Sequence, residues 1–442
     1  VTYKNRPYII LACFAYLFII ALSCEDKKIN DCAGVEGGVA QIDSCGLCTG
    51  GTTGLLPNYL MDCAGQCEGS TELDSCDVCG GDNSCMGCTD PNASNYDNLA
   101  SINDGSCEYP VQKAYVTLQG QDKVAVIDIN TGNILRHVDV NLTNLNDAPH
   151  YVVIDATNGY WYCTLISSGL VLKFNLVTDE LIDSVSVGSS PALMELDIQN
   201  QFLYVSRFMP MMGLGTDSKE IHKIDAATMT VIGTVDVGAD SPHGIALSSD
   251  GSILWVASNE ASHFFKIETD KFGDDSYQPQ NFPIGSEWEG APIDFPDREY
   301  NALELELNDD DSKLYISCSA VNQVRIFDTA TGDSLETITT GMMPWHIQLT
   351  NDESKLYVTN RMGNSVSIFN LETNEISMVQ DDSMNMLHGC ALSNDNVLLV
   401  VTSPGSGNAY IYETSTHSLL HTINLTDGSE QNPMPTGVAI ED

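Results

Sequence analysis

Short apolar stretches in which β-branched and aromatic residues alternate recur along residues 113–442. One kind, rich in β-branched and aromatic residues, occurs seven times, as KAYVTL (113), YWYCTL (160), FLYVSR (202), ILWVAS (253), KLYISC (313), KLYVTN (355) and VLLVVT (397). A second apolar stretch follows each of them, and a turn such as NTG, ATG or ETN leads to a third. This alternation between turns predicts β-strands joined as hairpins. No segment past residue 110 has a sustained helical period, so we predict an all-β domain.

A further apolar stretch accompanies each unit and supplies its fourth strand. These stretches begin near Pro149, Pro191, Pro242, Ala302, Pro344, Leu387 and Pro435. Four-stranded units of about 40–45 residues are typical of β-propeller blades. The chain enters the first unit at residue 113 without an inner strand and ends on a spare one, MPTGVAIED (434–442). We therefore predict a seven-bladed β-propeller over residues 111–442, closed by the C-terminal strand.

One blade carries a recognisable family signature. The segment LYVTNRMGNSVSIFNLETNE (356–375) closely resembles the YVTN family of seven-bladed β-propellers, and the resemblance extends over the whole repeat region. Two blades depart from the pattern through insertions, at residues 207–220 and around residues 270–298. The resemblance implies an exported binding or scaffolding protein, and it brings no shared catalytic motif.

Residues 24–110 differ from the rest in their cysteine content. They hold ten cysteines that we predict to form disulfides: Cys32, Cys45, Cys48, Cys63, Cys67, Cys76, Cys79, Cys85, Cys88 and Cys107. Such density in a segment with few large apolar residues is typical of a disulfide framework, whose pairing the sequence does not give. Zinc is the alternative, because CGLC (45–48) and CDVC (76–79) have ligand spacing.

This segment is itself repetitive. Residues 31–51 and 62–82 share the pattern D-C-A-G followed by D-S-C-x-x-C, and a third unit spans residues 87–110. The units resemble Cys/Asp/Gly repeats in surface proteins of marine bacteria, which implies a stalk or spacer. Calcium is a candidate ion here, and turn formation is the alternative role of the same oxygens. The residues concerned are Asp90, Asn92, Asp97, Asn103 and Asp104.

The first 23 residues have the pattern of a signal peptide. Lys4 and Arg6 precede a short apolar run at residues 8–22, and ALSC (21–24) resembles a bacterial lipobox with Ala21 in place of the usual leucine. The resemblance implies lipidation of Cys24, and the acidic pair Glu25 and Asp26 resembles the surface-export signal of Bacteroidetes-type lipoproteins. An uncleaved anchor is the alternative. Either origin predicts an extracytoplasmic protein of the outer membrane or cell surface, attached to the membrane through its N-terminus only.

The charge of the chain restricts its partners. It has 18 Lys and Arg against 61 Asp and Glu, a formal net charge of −43. A phosphate backbone needs cationic side chains, so we predict no nucleic-acid partner. The acidic surface suits solubility in salty surroundings or the binding of calcium. We expect the partner to be a surface protein, a peptide or a small molecule.

Histidines recur where the inner strands begin, at the predicted mouth of the propeller channel. His150, His243 and His388 share one repeat position, and His346 lies one residue later beside Trp345. Alternation along the same strands adds four polar residues facing the channel: Glu195, Glu304, Glu306 and Gln348. We also place nine methionines in the loops of this face: Met209, Met211, Met212, Met342, Met343, Met362, Met384, Met386 and Met434.

Three interpretations of this mouth remain open from the sequence. The residues are strand-entry formers, or they bind an organic or peptide ligand, or they hold a soft metal such as copper. Because strand starts across the ring are far apart, we expect His346 and His388, with Met343 or Met386, to be the better metal set than four histidines.

Sequence motifs for catalysis are absent, since the chain has no H-E-x-x-H, G-x-S-x-G or phosphate-loop pattern. We therefore favour a lipid-anchored binding or scaffold protein that presents a propeller on a disulfide-rich stalk. The alternative is a copper-binding or lactonase-like hydrolase propeller, for which Glu304, Glu306 and His346 are the residues to test. We expect the remaining cysteines, Cys163, Cys318 and Cys390, to be buried thiols.

Overall fold

The computed structural model describes most of the chain as two compact units, one up to residue 110 and one from residue 111 onward. The described residues are 29–91, 93–108, 111–143, 145–188, 190–208, 219–291, 293 and 299–441. The predicted signal peptide, the predicted lipidation site Cys24, and Asn92, Met209, Met211 and Met212 lie outside them. Within the described residues, no helix is both long enough and apolar enough to cross a membrane.

The N-terminal unit is a chain of loops held by five disulfides. The bonds are Cys32–Cys48, Cys45–Cys67, Cys63–Cys79, Cys76–Cys85 and Cys88–Cys107. Among the residues of this unit that the structure describes, regular structure consists of four two-residue strands and one 3₁₀ helix: Gln41–Ile42, Cys48–Thr49, Gly51–Thr53, Met86–Gly87 and Ile102–Asn103. The prediction of a disulfide-rich unit is confirmed, and disulfides substitute here for an apolar core.

The structural repeat of this unit is shorter than the 31-residue pattern suggests. Four octets beginning at Asp31, Asp43, Asp62 and Asp74 fold alike. In each, the aspartate accepts backbone N–H groups from its own loop and from a residue beyond it, as Asp43 does from Cys45, Leu47 and Asn58 at 2.9–3.0 Å. These hydrogen bonds lower the pKa of all four carboxyls. The aspartates therefore serve as the framework of the loops.

The disulfides connect successive octets in a ladder. Cys32, Cys45 and Cys63 each bond to the sixth residue of the following octet, and Cys76 bonds onward to Cys85. The first octet has Glu36 at that sixth position.

The predicted calcium ligands take part in turns. Asp97, Asn103 and Asp104 each accept the N–H of the residue two positions on, at 2.8–2.9 Å. Calcium binding remains a prediction, and these bonds fit the role of turn former.

The second unit is a β-propeller of seven four-stranded antiparallel sheets, as predicted. Each blade runs outward from an inner strand at the channel to a fourth strand at the rim. The inner strands of blades 2 to 7 and then 1 are Pro149–Asp155, Pro191–Asp197, Pro242–Leu247, Ala302–Leu307, Pro344–Leu349, Cys390–Leu392 and Pro435–Glu441. The second strands of blades 1 to 7 are Lys113–Leu118, Tyr160–Leu165, Phe202–Arg207, Ile253–Ser258, Lys313–Cys318, Lys355–Asn360 and Leu398–Ser403.

The outer strands complete the blades. The third strands are Lys123–Asp128, Leu170–Asn175, Glu220–Asp225, His263–Glu268, Gln323–Asp328, Ser365–Asn370 and Asn408–Glu413. The fourth strands are Asn133–Asp139, Leu181–Ser186, Thr230–Asp236, Gln280–Pro283, Ser334–Thr339, Ile376–Val379 and Ser418–Asn424. Blade 4 also carries the 3₁₀ helices Thr269–Lys271 and Ser286–Trp288 beside its insertion.

The C-terminal strand closes the ring, as predicted. It pairs with the first strand of the propeller so that Ile440 lies opposite Ala114. The Lys113 ammonium lies 2.9 Å from the Glu441 carboxylate in the same pair. Closure of this kind leaves no free inner edge.

The apolar core lies between adjacent blades. Trp161 stacks on Phe174 at 4.0 Å within blade 2 and contacts Tyr115 of blade 1 at 5.5 Å. Similar interfaces repeat around the ring, and Cys163, Cys318 and Cys390 lie in them as buried free thiols, as expected. This packing fixes where each inner strand delivers its side chains.

Candidate functional site

Each inner strand enters the ring through a distorted first turn. In six blades the pairing with the second strand shifts between the first and fourth residues, as between Pro149 and Val152. The two residues between these form a β-bulge, and we call them the first and second bulge residues. The residue before each inner segment has a φ between 46° and 62°: Ala148, Ser190, Ser241, Asn301, Met343, Met386 and Met434. Bulges redirect side chains and are common beside functional sites.

A hydroxyl in the second strand connects the bulges of neighbouring blades. In blade 2, the Thr164 hydroxyl accepts the N–H of Tyr151 at 3.1 Å and donates to the Ala192 carbonyl of blade 3 at 2.9 Å. The equivalent hydroxyls are Thr117, Ser206, Ser317, Thr359 and Thr402. Thr402 accepts the N–H of Gly389 in the same way, and the regular inner strand of blade 7 begins at Cys390 rather than near Leu387.

Blade 4 is the exception and explains one of the histidines. Ala257 occupies the hydroxyl position, so that blade has no such donor. The His243 ring takes its place, because Nδ1 donates to the Leu303 carbonyl of blade 5 at 2.7 Å. His243 therefore has a structural role, which agrees with its interpretation as a strand-entry residue. Its other nitrogen, Nε2, stays unpartnered among the described residues.

The first bulge residues bring three histidines together at the channel. The ring centroid of His150 lies 5.1 Å from that of His388 and 6.3 Å from that of His243. Two aromatic rings adjoin them, since Phe208 lies 4.5 Å from His243 and Trp345 lies 5.5 Å from His388. We call His150, His243, His388 and Trp345 the mouth cluster.

Histidines of non-adjacent blades approach one another in this cluster, since His150 belongs to blade 2 and His388 to blade 7. The expectation that strand starts across the ring are too far apart for one four-histidine metal site stays a prediction. His346, a second bulge residue, instead stacks on Tyr151 at 6.4 Å.

Several buried nitrogens of the mouth cluster have no hydrogen-bond partner among the described residues. They are both ring nitrogens of His150, Nδ1 of His388, Nε2 of His243 and Nε1 of Trp345. The three histidines are at most 6% exposed. Leaving a buried polar group unpaired costs about 1–3 kcal/mol, so such groups call for a functional explanation.

The histidines are neutral at pH 7. Burial lowers the pKa of His150 to about 3 and that of His243 to about 4, and it brings the pKa of His388 well below its ordinary value. Neighbouring positive charge adds to the effect, because the Arg361 guanidinium also lowers the pKa of His150 and His388. Each ring therefore carries one N–H donor and one lone pair.

Arg361 belongs to the same site and was not identified from the sequence. It directly follows the second strand of blade 6, and its guanidinium carbon lies 4.5 Å from the centroid of the Trp345 ring. Its Nη1 is buried and has no partner among the described residues. The clue in the sequence was its position, immediately after YVTN in a loop of the same face.

A second group of side chains lies along the inner strands below the mouth. Glu304 is a second bulge residue, and Glu195, Glu306 and Gln348 follow two positions later in their strands. Gln348 donates to Glu306 at 3.3 Å. Glu306 also lines a groove together with Asp309 and Glu353. Tyr151, which the sequence analysis missed, interacts electrostatically with all three glutamates.

Burial raises the pKa of all three glutamates. The pKa of Glu195 and that of Glu306 rise to about 8, and that of Glu304 rises well above its ordinary value through burial and through repulsion by both other carboxyls. Glu195 and Glu306 are partly exposed, so protons can reach them. These carboxyls are therefore able to exchange protons near neutral pH.

The methionines are distributed unevenly. Met342, Met362, Met386 and Met434 are 37–53% exposed, whereas Met384 is buried in a blade interface. In the described part of the chain, no group of three or more His, Cys, Asp or Glu side chains is arranged to hold a metal ion. The metal set of His346, His388, Met343 and Met386 stays a prediction.

Comparison with known proteins gives evidence on the fold. No protein-family model matches the chain, and no curated protein matches it either. A functionally unknown protein from Desulfotomaculum acetoxidans is similar in structure, with a TM-score of 0.58 and 16% identity over 74% of this chain and 98% of that one. A putative 6-phosphogluconolactonase from Bacteroides fragilis has a TM-score of 0.56 and 15% identity, covering 75% of this chain and 98% of its own.

A third similar structure is a streptogramin B lyase, with a TM-score of 0.53 and 14% identity over 67% of this chain and 88% of that one. Identities this low are evidence of the fold alone. The fold and site thus define a seven-bladed β-propeller with a histidine cluster at one end of its channel.

Proposed function

We propose that the protein is an exported binding protein of the cell surface, whose propeller takes a ligand at the mouth cluster. The observation that carries this proposal is the set of buried, unpartnered nitrogens on His150, His388 and Trp345. A bound ligand would satisfy groups that are costly to leave unpaired. Rings from different blades converge on one place, as a binding site for a single molecule requires.

The cellular setting in this proposal rests on other features. Five disulfides fit an oxidising compartment. The lipobox-like ALSC provides an anchor on Cys24, and the YVTN-like blade fits an exported binding or scaffolding propeller. The net charge of −43 disfavours nucleic acid, which leaves a surface protein, a peptide or a small molecule as the partner.

A binding screen with matched variants tests the proposal. The mature chain and its Trp345→Ala and Trp288→Ala variants are screened by thermal shift against small organic molecules, short peptides, Cu²⁺ and Zn²⁺. Trp288 lies outside the mouth cluster, in the 3₁₀ helix of blade 4. We expect hits that stabilise the parent and the Trp288→Ala variant and are lost in Trp345→Ala. Ligands that stabilise the parent and Trp345→Ala equally, or a screen without any hit, would refute the proposal of a ligand at the mouth cluster.

A hydrolase is the second candidate function, and one observation favours it. The pKa of Glu306 and that of Glu195 lie at about 8, in the range where a carboxyl can act as a general acid or base. His346 and Tyr151 lie in the same channel. A hydrolase substrate screen with Glu306→Gln as the control tests it. If the parent turns over a substrate and Glu306→Gln does not, the primary function is catalysis rather than binding.

A further inference from the structure

Arg361, which lies against Trp345 of the mouth cluster, differs from the other described arginines. The structure describes four arginines, and three of them have hydrogen-bond or ion-pair partners: Arg136 with Asp179, Arg207 with Glu220, and Arg325 with Gln323 and the Ile284 carbonyl. The Arg361 guanidinium has none among the described residues. The chain has 61 acidic residues, so the lack of an acidic partner is notable.

The pKa of Arg361 agrees with the absence of an acidic partner among the described residues. Burial lowers the pKa of Arg361, and no neighbouring carboxylate raises it. A partly buried guanidinium without an anion is costly, because its desolvation is not offset by a partner. Both ends of Arg361 are nevertheless held in place. Its backbone N–H donates to the Met343 carbonyl at 2.8 Å, and its guanidinium lies over the Trp345 ring.

The neighbouring groups determine which ligand would fit. Trp345 Nε1 is a donor only, and the neutral rings of His150 and His388 each have one N–H to give. Arg361 lowers the pKa of both histidines by repelling a proton, and the same repulsion opposes a metal cation on their nitrogens. The site therefore favours an anion over a metal ion.

The number of cationic side chains at the site indicates the charge of the anion that it would bind. The site has one cationic side chain inside a protein of net charge −43. A doubly charged phosphate would need more positive charge, whereas a carboxylate needs one planar guanidinium with nearby N–H donors. Trp345 and Phe208 provide flat apolar surfaces beside these donors.

Building on the proposed binding function, we infer that the mouth cluster binds the carboxylate group of a small organic acid, with Arg361 and the Trp345 N–H as its principal donors. The aromatic rings contact the body of the acid. Arg361 sets the specificity for the anionic form, and the histidines complete the donor set.

Two probes of equal size and shape separate charge from shape. Benzoate and benzamide are titrated into the mature chain, and binding is followed by saturation-transfer NMR of the probe. We expect benzoate to bind about tenfold or more tightly than benzamide, since hydrogen bonds to charged groups contribute about 1.5–3 kcal/mol. Sodium chloride should weaken benzoate binding and leave benzamide unaffected.

Three variants assign the effect to residues. Arg361→Gln should abolish the preference for benzoate over benzamide. Trp345→Phe keeps a ring but removes the N–H, so it should lower the affinity for benzoate several-fold. Lys271→Gln, which removes a surface cation outside the channel, should change nothing. Equal affinity for the two probes, or a preference that survives Arg361→Gln, would overturn the inference. If neutral ligands from the screen still need Trp345, the binding site itself stands and only the carboxylate assignment fails.

Discussion

The Nδ1 atom of His243 lies 2.7 Å from the carbonyl oxygen of Leu303 in the next blade. Other blades make the equivalent connection through a threonine or serine hydroxyl, as Thr164 does to Ala192. In blade 4 Ala257 occupies the position of the hydroxyl. The imidazole of His243 makes the hydrogen bond to the next blade instead. His243 therefore differs from His150, which has no described partner for either nitrogen. The two residues share a repeat position but have different roles.

This relationship predicts a rescue by a second substitution. His243→Ala should lower the free energy of unfolding by about 1–3 kcal/mol, because it leaves the Leu303 carbonyl buried without a donor. Adding Ala257→Thr should recover part of the loss, because its hydroxyl would occupy the position used in the other blades. Chemical denaturation of the propeller measures both effects. Ala257→Val in the same background is the matched control, and equal recovery by valine would show that volume, not the hydrogen bond, is restored.

The glutamates of the channel predict a distinct pH dependence. The pKa of Glu306 is raised from its ordinary value of 4.5 to about 8. The unfolded chain therefore releases this proton first, so the group destabilises the fold as pH rises from about 4.5 to about 8. Glu306→Gln should raise the free energy of unfolding at pH 8 by about 1 kcal/mol or more and have little effect at pH 4. The side-chain amide of Gln348 can still donate a hydrogen bond to the amide oxygen of the new glutamine.

Denaturation of the parent and Glu306→Gln at both pH values provides the test. Glu353→Gln is a suitable control, because it makes the same change at another carboxyl that lines the same groove. A stabilisation of equal size at pH 4 and pH 8 would contradict the raised pKa.

The octets of the N-terminal unit predict a role for their first aspartate. In Asp43→Asn, one carboxylate oxygen becomes an NH₂ group, and it faces an N–H donor whichever way the amide is oriented. We expect the nearby Cys45–Cys67 bond to be reduced at a lower dithiothreitol concentration, as followed by peptide mapping. Asp77→Asn should leave the midpoint unchanged, because no amide bonds to the Asp77 carboxylate in the described structure.

The state of the cysteines predicts a specific mass spectrum. The mature protein should carry a lipid on Cys24, five disulfides in the ladder pairing, and three thiols that become alkylated only after unfolding. Alkylation of native protein at CGLC or CDVC would favour the zinc alternative instead. An unmodified Cys24 in membrane-extracted protein would contradict the lipid anchor.

Much of the fold was accessible from the sequence because β-structure has a local signature. The seven stretches equivalent to KLYVTN are rich in β-branched and aromatic residues and are separated by turn signals. The spare strand at residues 434–442 predicted the closure onto residues 113–118. Repeat position also singled out His150, His388, Glu304 and Glu306 as candidate site residues. These local signals are thus enough to predict the strands and the number of blades.

Only the tertiary structure decided how these side chains meet. The 5.1 Å approach of His150 to His388, the stacking of Arg361 on Trp345, and the pairing of Cys45 with Cys67 join residues that no local pattern relates. Their distances depend on the bulges and on how the blades pack around the ring. The chemistry of the mouth follows from desolvation and neighbouring charge, which exist only once the blades close around it.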